Sequence, residues 1–129
     1  MKFLVILALV AFVAARPEEE KPDYSRYENF NVDEVIDNDR FLAGYSNCFQ
    51  SIGKCTPEAS DFKKWIPDAV QSDCSGCSEH QKTLVARVIK AIMDKFPKDW
   101  VKLNEIYNAE GKYTEGFKLF VDKYAAVKQ

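Results

Sequence analysis

Residues 78–97 read Ser-Glu-His-Gln-Lys-Thr-Leu-Val-Ala-Arg-Val-Ile-Lys-Ala-Ile-Met-Asp-Lys-Phe-Pro. Leu84, Val85, Val88, Ile89, Ile92, Met93 and Phe96 are apolar. At about 100° per residue they cover an arc of about 180°. A surface helix often needs only about 100° of apolar face. A helix apolar over half its circumference is central, with neighbours on two sides. Ser78 and Gln81 supply a capping box at its start, and Pro97 stops it.

Outward from this element the chain reads helical nearly throughout. A short helix over 98–107 carries Trp100, Leu103 and Tyr107 on one side. Asn108-Ala109-Glu110-Gly111 is a turn. The last helix, about 114–127, aligns Tyr113, Phe117, Phe120 and Tyr124, a stripe suited to attaching a terminal helix to its own bundle. On the other side, Thr56-Pro57-Glu58 is a helix start, with a capping hydroxyl, Pro in the first turn and an acid near the positive dipole end. That helix puts Ala59, Phe62, Ile66, Ala69 and Val70 on one face, leaves Trp65 at the edge, and should kink or split at Pro67. Asn38 or Asp39 caps a helix whose apolar face is Phe41, Leu42, Tyr45, Cys48 and Phe49, ended by Gly53. Val32–Ile36 is a short apolar-acidic stretch, and residues 16–26 form a charged arm. No alternating β-branched run argues for a strand.

The N-terminus is an address. Met1-Lys2 is followed by eleven apolar residues, Phe3 to Val13, then Ala14-Ala15 and the polar Arg16-Pro17-Glu18. This is the pattern of a secretory signal peptide, too short for a bilayer span, which needs about 20 apolar residues. Val13 and Ala15 occupy the −3 and −1 positions, so residues 1–15 are removed and the mature domain is 16–129. No later segment would hold the protein in a membrane. We expect a secreted, extracellular monomer.

Charge and histidine content remove whole classes of function. The chain holds 18 Lys+Arg against 20 Asp+Glu, and nucleic-acid binding needs a surplus of Lys/Arg on one face. The single histidine, His80, falls in the first turn of the central helix, where a solvated side chain is expected. Acid–base catalysis and metal ligation lean on His more than on any other residue. There is no Ser-His-Asp set, Gly-rich phosphate loop or His-rich cluster. We therefore expect no catalytic residues, no metal and no cofactor.

Cys48, Cys55, Cys74 and Cys77 are an even set in a secreted chain, and four cysteines allow three pairings. Bridged Cα atoms lie within about 7 Å, which favours the two local pairs. Cys74 and Cys77 are one helical turn apart. Cys48 and Cys55 would be about 10.5 Å apart in rise on an unbroken helix, so the chain must turn back at Ser51-Ile52-Gly53. A redox C-x-x-C wants a βαβ context that is missing here. A four-cysteine zinc site usually has shorter spacing in its first pair.

This cysteine spacing on a secreted helical chain resembles the insect chemosensory proteins, the OS-D family. Tyr27-Glu28-Asn29-Phe30-Asn31-Val32-Asp33-Glu34-Val35, Asn38-Asp39-Arg40-Phe41-Leu42 with Tyr45, Cys55-Thr56-Pro57-Glu58, and Ile66-Pro67-Asp68-Ala69-Val70 carry the likeness. Cys74-Ser75-Gly76-Cys77-Ser78-Glu79-His80-Gln81-Lys82 and Pro97, Trp100, Leu103, Tyr107, Gly111-Lys112-Tyr113 complete it. Phe41 stands where Leu is usual, Phe49 follows Cys48, and Asn108-Ala109 replaces the usual Asp-Pro.

The resemblance implies an all-α fold of about six helices around an apolar ligand channel. It implies binding of long apolar molecules such as fatty acids, esters and pheromone- or odorant-like compounds. It also implies that Tyr27, Tyr45 and Trp100 line the channel; periodicity alone reads them as core. Leu42, Ile66, Val70, Val85, Ile89, Met93 and Leu103 are the next wall candidates, each on an inward face that would equally serve as plain core. The rival reading is a secreted signalling or interaction protein, in development or defence, that docks on a receptor. N-terminal sequencing of the secreted protein should begin at Arg16 or within two residues of it. A chain starting at Met1 would overturn the leader.

Overall fold

A computed structural model describes residues 27–127. The leader and the whole charged arm, 16–26, lie outside the described residues. Six helices follow one another: α1 Val32–Ile36, α2 Asp39–Phe49, α3 Pro57–Ser72, α4 Glu79–Lys95, α5 Pro97–Tyr107 and α6 Thr114–Ala125. No strand occurs among the described residues.

Helix α4 is the centre. Leu84, Val85, Ala86, Val88, Ile89 and Ile92 are buried, and α4 touches α1, α2, α3, α5 and α6. The wide apolar arc is thus used on several sides rather than two. Its start is fixed by the expected capping box, in which Ser78 Oγ accepts from Gln81 N–H and Gln81 Oε1 from Ser78 N–H. Polar ties run from its outer face: Arg87 pairs with Asp33 of α1, and Lys95 reaches Asp39 Oδ1 at 3.0 Å and the Ile36 carbonyl at 2.6 Å.

Helix α3 runs unbroken through Pro67. A proline inside a helix forfeits one backbone bond. Here the Thr56 cap, whose Oγ1 accepts from Ala59 N–H at 3.1 Å, and the burial of Phe62, Trp65, Ile66, Ala69 and Val70 hold the helix together across that gap. Trp65 is buried rather than at an edge, its ring between Tyr27 and Phe62 with centroids at 5.1 and 4.8 Å.

Two further expectations need correction. Helix α2 ends at Phe49, not at Gly53; Ser51 takes the left-handed conformation that reverses the chain (φ 62°). Phe41 is 55% exposed, because α2 buries only the Leu42, Tyr45, Cys48 and Phe49 side.

The cysteines pair as Cys48–Cys55 and Cys74–Cys77, with Cα atoms 4.9 and 5.2 Å apart. The second loop turns through left-handed Asp73 and Cys74 (φ 55° and 60°). Asp68 Oδ2 accepts from Gly76 N–H at 3.0 Å and so braces that loop. His80 is half-buried rather than solvated, with Nε2 2.5 Å from the Tyr27 carbonyl oxygen.

Helix α5 is pinned to α2 at both ends. Ser46 Oγ, fully buried, donates to Asp99 Oδ2 at 2.8 Å, and the Tyr107 hydroxyl donates to the Phe49 carbonyl at 2.8 Å. Helix α6 packs chiefly on α4 through Phe117, Phe120 and Val121. The terminal aromatic stripe therefore serves attachment, as expected.

Tyr45 packs edge-on against Phe49 and Phe62. Burial, with the Glu58 carboxylate adding to it and a hydrogen bond to Thr56 opposing it, pushes the Tyr45 phenol from 10.0 up to about 12. Burial also raises Tyr107. Below the lower value both folded and unfolded Tyr45 are neutral. Above it only the unfolded side chain ionises, so stability falls as pH rises toward the folded value. Tyr45→Phe should flatten the loss of stability between about pH 10 and 12 in urea titrations, with Tyr107 leaving a residual slope. In the same assay Ile92→Ala, at a fully buried site of α4, should cost about 2–5 kcal/mol. Leu119→Ala, at a site 70% exposed, should stay within about 0.5 kcal/mol.

Candidate functional site

Helices α5 and α6 each pack on α4, α5 with further ties to α2, and an apolar cleft lies along the seam between them. Its inner part is a slot walled by Ile66 and Val70 of α3, Ile89 of α4, Trp100, Leu103, Asn104 and Tyr107 of α5, Asn108 of the turn, and Phe117 of α6. The space inside is about 10 Å³, the threshold for one water molecule. Its outer part is a groove of about 300 Å³ walled by Lys90, Met93, Trp100, Asn104, Thr114, Phe117, Lys118, Val121 and Asp122. Trp100 and Phe117 belong to both walls. Their rings stack, with centroids 5.8 Å apart and planes at 24°. This pair forms a partition between a filled slot and an open groove.

Polar groups in the cleft are few. Asn108, buried, donates through its amide to Thr114 Oγ1 at 2.9 Å and Asn104 Oδ1 at 3.2 Å. Its Oδ1 accepts from Tyr113 N–H at 3.1 Å. This network ties the end of α5 to the start of α6. Gly111, with φ 75°, makes the turn between them. The Tyr107 phenol, raised by burial, stays neutral and keeps its bond to Phe49. At the other end of α6, the Tyr124 hydroxyl, with Lys82, holds the Glu79 carboxyl below its usual range. Charge sits on the outer groove only, as Lys90, Lys118 and Asp122. Lys90 is also paired with Asp94 at 3.0 Å.

Of the ten residues expected in the wall, Ile66, Val70, Ile89, Trp100 and Leu103 meet at the slot. Met93 joins Trp100 at the groove. Tyr27, Leu42, Tyr45 and Val85 lie in neither wall; they are buried core. Tyr27 donates to Asp61 Oδ2 at 2.6 Å and its ring packs on Phe30, Phe62 and Trp65. Periodicity marks an inward face and does not separate core from wall. Several cleft residues stand outside that expected set, Phe117, Asn104, Asn108 and Thr114 among them. Phe117 was read as attachment, and it serves the cleft as well. Asn104, Asn108 and Thr114 are polar and stand outside any apolar stripe. Asn104 does lie four residues after Trp100 and four before Asn108, a spacing that puts all three on one helical face.

Comparison with known proteins places these features in a family. The model of the insect pheromone-binding family A10/OS-D matches residues 24–115. Allergen Tha p 1 of Thaumetopoea pityocampa is 37% identical over 130 residues, covering 100% of this chain and 99% of that one. Ejaculatory bulb-specific protein 3 of Drosophila melanogaster is 33% identical over 118 residues, 92% of each chain. Among solved structures, antennal chemosensory protein A6 from the moth Mamestra brassicae is similar with a TM-score of 0.65 at 30% identity, over 81% of this chain and 96% of that one. A chemosensory protein in complex with bromo-dodecanol gives a TM-score of 0.64 at 32% identity, over 74% of this chain and 97% of that one. With six helices, two local disulfides and a match across most of its length, this chain belongs to the insect pheromone-binding family A10/OS-D.

Proposed function

We propose that the protein is a secreted carrier of small apolar ligands, held between α5 and α6. The observation that carries this reading is the cleft itself: an apolar slot closed by an aromatic pair and continuous with a groove of about 300 Å³. That volume is at the lower end of small-molecule sites, about 300–1,000 Å³. The similarity to a chemosensory protein solved with bromo-dodecanol supports a chain-like ligand. The apolar leader of residues 3–13 supports secretion.

The driving force is desolvation, about 0.8 kcal/mol for each buried CH2. Ordering the ligand opposes it. The slot has room for about one water, so an alkyl chain enters only as the Trp100–Phe117 stack parts. Met93, unbranched and half-buried at the groove, repacks at small cost. Helix α5 is held to α2 by Asp99–Ser46 and Tyr107–Phe49, and α6 packs broadly on α4, so the partition opens by movement of the two rings. No helix among the described residues is long and apolar enough to cross a membrane.

The two tryptophans give a direct test. Trp100 faces both parts of the cleft, whereas Trp65 is buried among Tyr27 and Phe62. Titrated with a long-chain alcohol or ester, Trp65→Phe should keep the ligand-dependent fluorescence change, and Trp100→Phe should lose it. Persistence of the full change in folded Trp100→Phe would place the ligand elsewhere. No binding by wild type to any apolar ligand would favour the docking-module rival.

A further inference from the structure

The carrier reading leaves the polar end of the ligand unassigned, and the following rests on that reading. Asn104 lies in the wall of both the slot and the groove. The direction of its amide follows from a neighbour that the backbone orients. Tyr113 N–H donates to the Asn108 side chain at 3.1 Å. A backbone N–H only donates, so the atom facing it is the Asn108 oxygen. The Asn108 nitrogen therefore points the other way, and both its hydrogens are used, on Thr114 Oγ1 and Asn104 Oδ1. Thr114 fits this assignment, because its own hydrogen goes to the Gly111 carbonyl at 2.9 Å. Asn104 is left with its oxygen occupied and its NH2 turned away from Asn108. No protein group among the described residues accepts from that NH2.

We infer that the Asn104 NH2 is the polar recognition point of the cleft, and that it selects alkyl chains carrying an uncharged acceptor oxygen: an alcohol, an aldehyde or an ester. Trp100, Leu103 and Phe117 make the slot beside it apolar, and no cation lines the slot. An ionised carboxylate would lose its water there without a counter-charge, a cost that one hydrogen bond does not offset. The lysines stand on the outer groove, with Asp122 among them and Asp94 on Lys90. Asn108 is the positioning residue. An aspartate in its place accepts but does not donate, and it would draw the Asn104 NH2 toward itself and off the ligand.

The test is competition against bound N-phenyl-1-naphthylamine by dodecan-1-ol, methyl dodecanoate, dodecane and dodecanoate. Circular dichroism first establishes that each variant is folded. Asn104→Leu should lower the ester-to-alkane affinity ratio, methyl dodecanoate against dodecane, about three- to ten-fold, the worth of one hydrogen bond. Asn108→Asp should lower the same ratio in the same direction; it gives a second route if Asn104→Leu does not fold. A ratio unchanged in both variants would overturn the inference while leaving the carrier reading in place. So would a preference for dodecanoate over dodecan-1-ol that Lys118→Ala removes and Asn104→Leu does not. Failure of all four ligands to displace the probe would remove the carrier reading and this inference with it.

Discussion

Helix α4 presents an apolar surface too wide for any one neighbour to cover. Leaving even one buried Leu, Ile or Val of that arc in water forfeits about 1.5–3 kcal/mol. The rest of the molecule is arranged to avoid this. Helices α1, α2, α3, α5 and α6 all reach α4, and the capping box and Pro97 set where it begins and ends. The two disulfides act as local clips at the α2–α3 turn and before α4. They close short loops, which contribute less entropic stabilisation than long ones. Their effect is to fix where helices turn.

The same constraint creates the cleft. Because α4 recruits α5 and α6 separately, those two helices need not pack closely on each other. Helix α5 is fastened to α2 by Ser46–Asp99 and Tyr107–Phe49. Helix α6 lies on α4, latched by Lys82 over the Tyr124 ring at one end and the Asn108 network at the other. Between those latches, the stacked rings of Trp100 and Phe117 bridge the seam. An aromatic pair adds about 0.5–1.5 kcal/mol beyond its burial, a small barrier beside the gross gain from burying a long alkyl chain. The seam is therefore the place where a ligand displaces least.

How much of this was legible in the sequence varied with the physics involved. Helices α2 to α6 followed from period, caps and prolines, because those signals are local. The Thr56 cap and the Ser78–Gln81 box acted as their residue types require. Pro67 misled, since burial of Trp65, Ile66 and Val70 on either side of it outweighs one lost backbone bond. Phe41 and His80 misled in opposite senses. One looked inward by type and lies in solvent; the other looked solvated by position and meets a carbonyl 53 residues away. In the site, Ile66, Val70, Ile89, Trp100 and Leu103 shared a destination that single-helix periodicity does not specify. Tyr27 and Tyr45 face inward as well, but onto Phe62 rather than onto space. The Asn104–Asn108–Thr114 set was invisible because hydrogen bonds across a turn leave no apolar pattern.

The central claim is that ligand binds at the α5–α6 seam and nowhere else in the core. A methyl-resolved NMR titration with a long-chain alcohol tests it most directly. Val70, Ile89, Leu103 and Val121 line the cleft, and their methyl signals should shift together and saturate at one equivalent. Val32, Val35 and Leu42 are buried outside it and should stay in place. Saturable shifts centred on Val32 and Leu42, with Ile89 and Leu103 unmoved, would contradict the account.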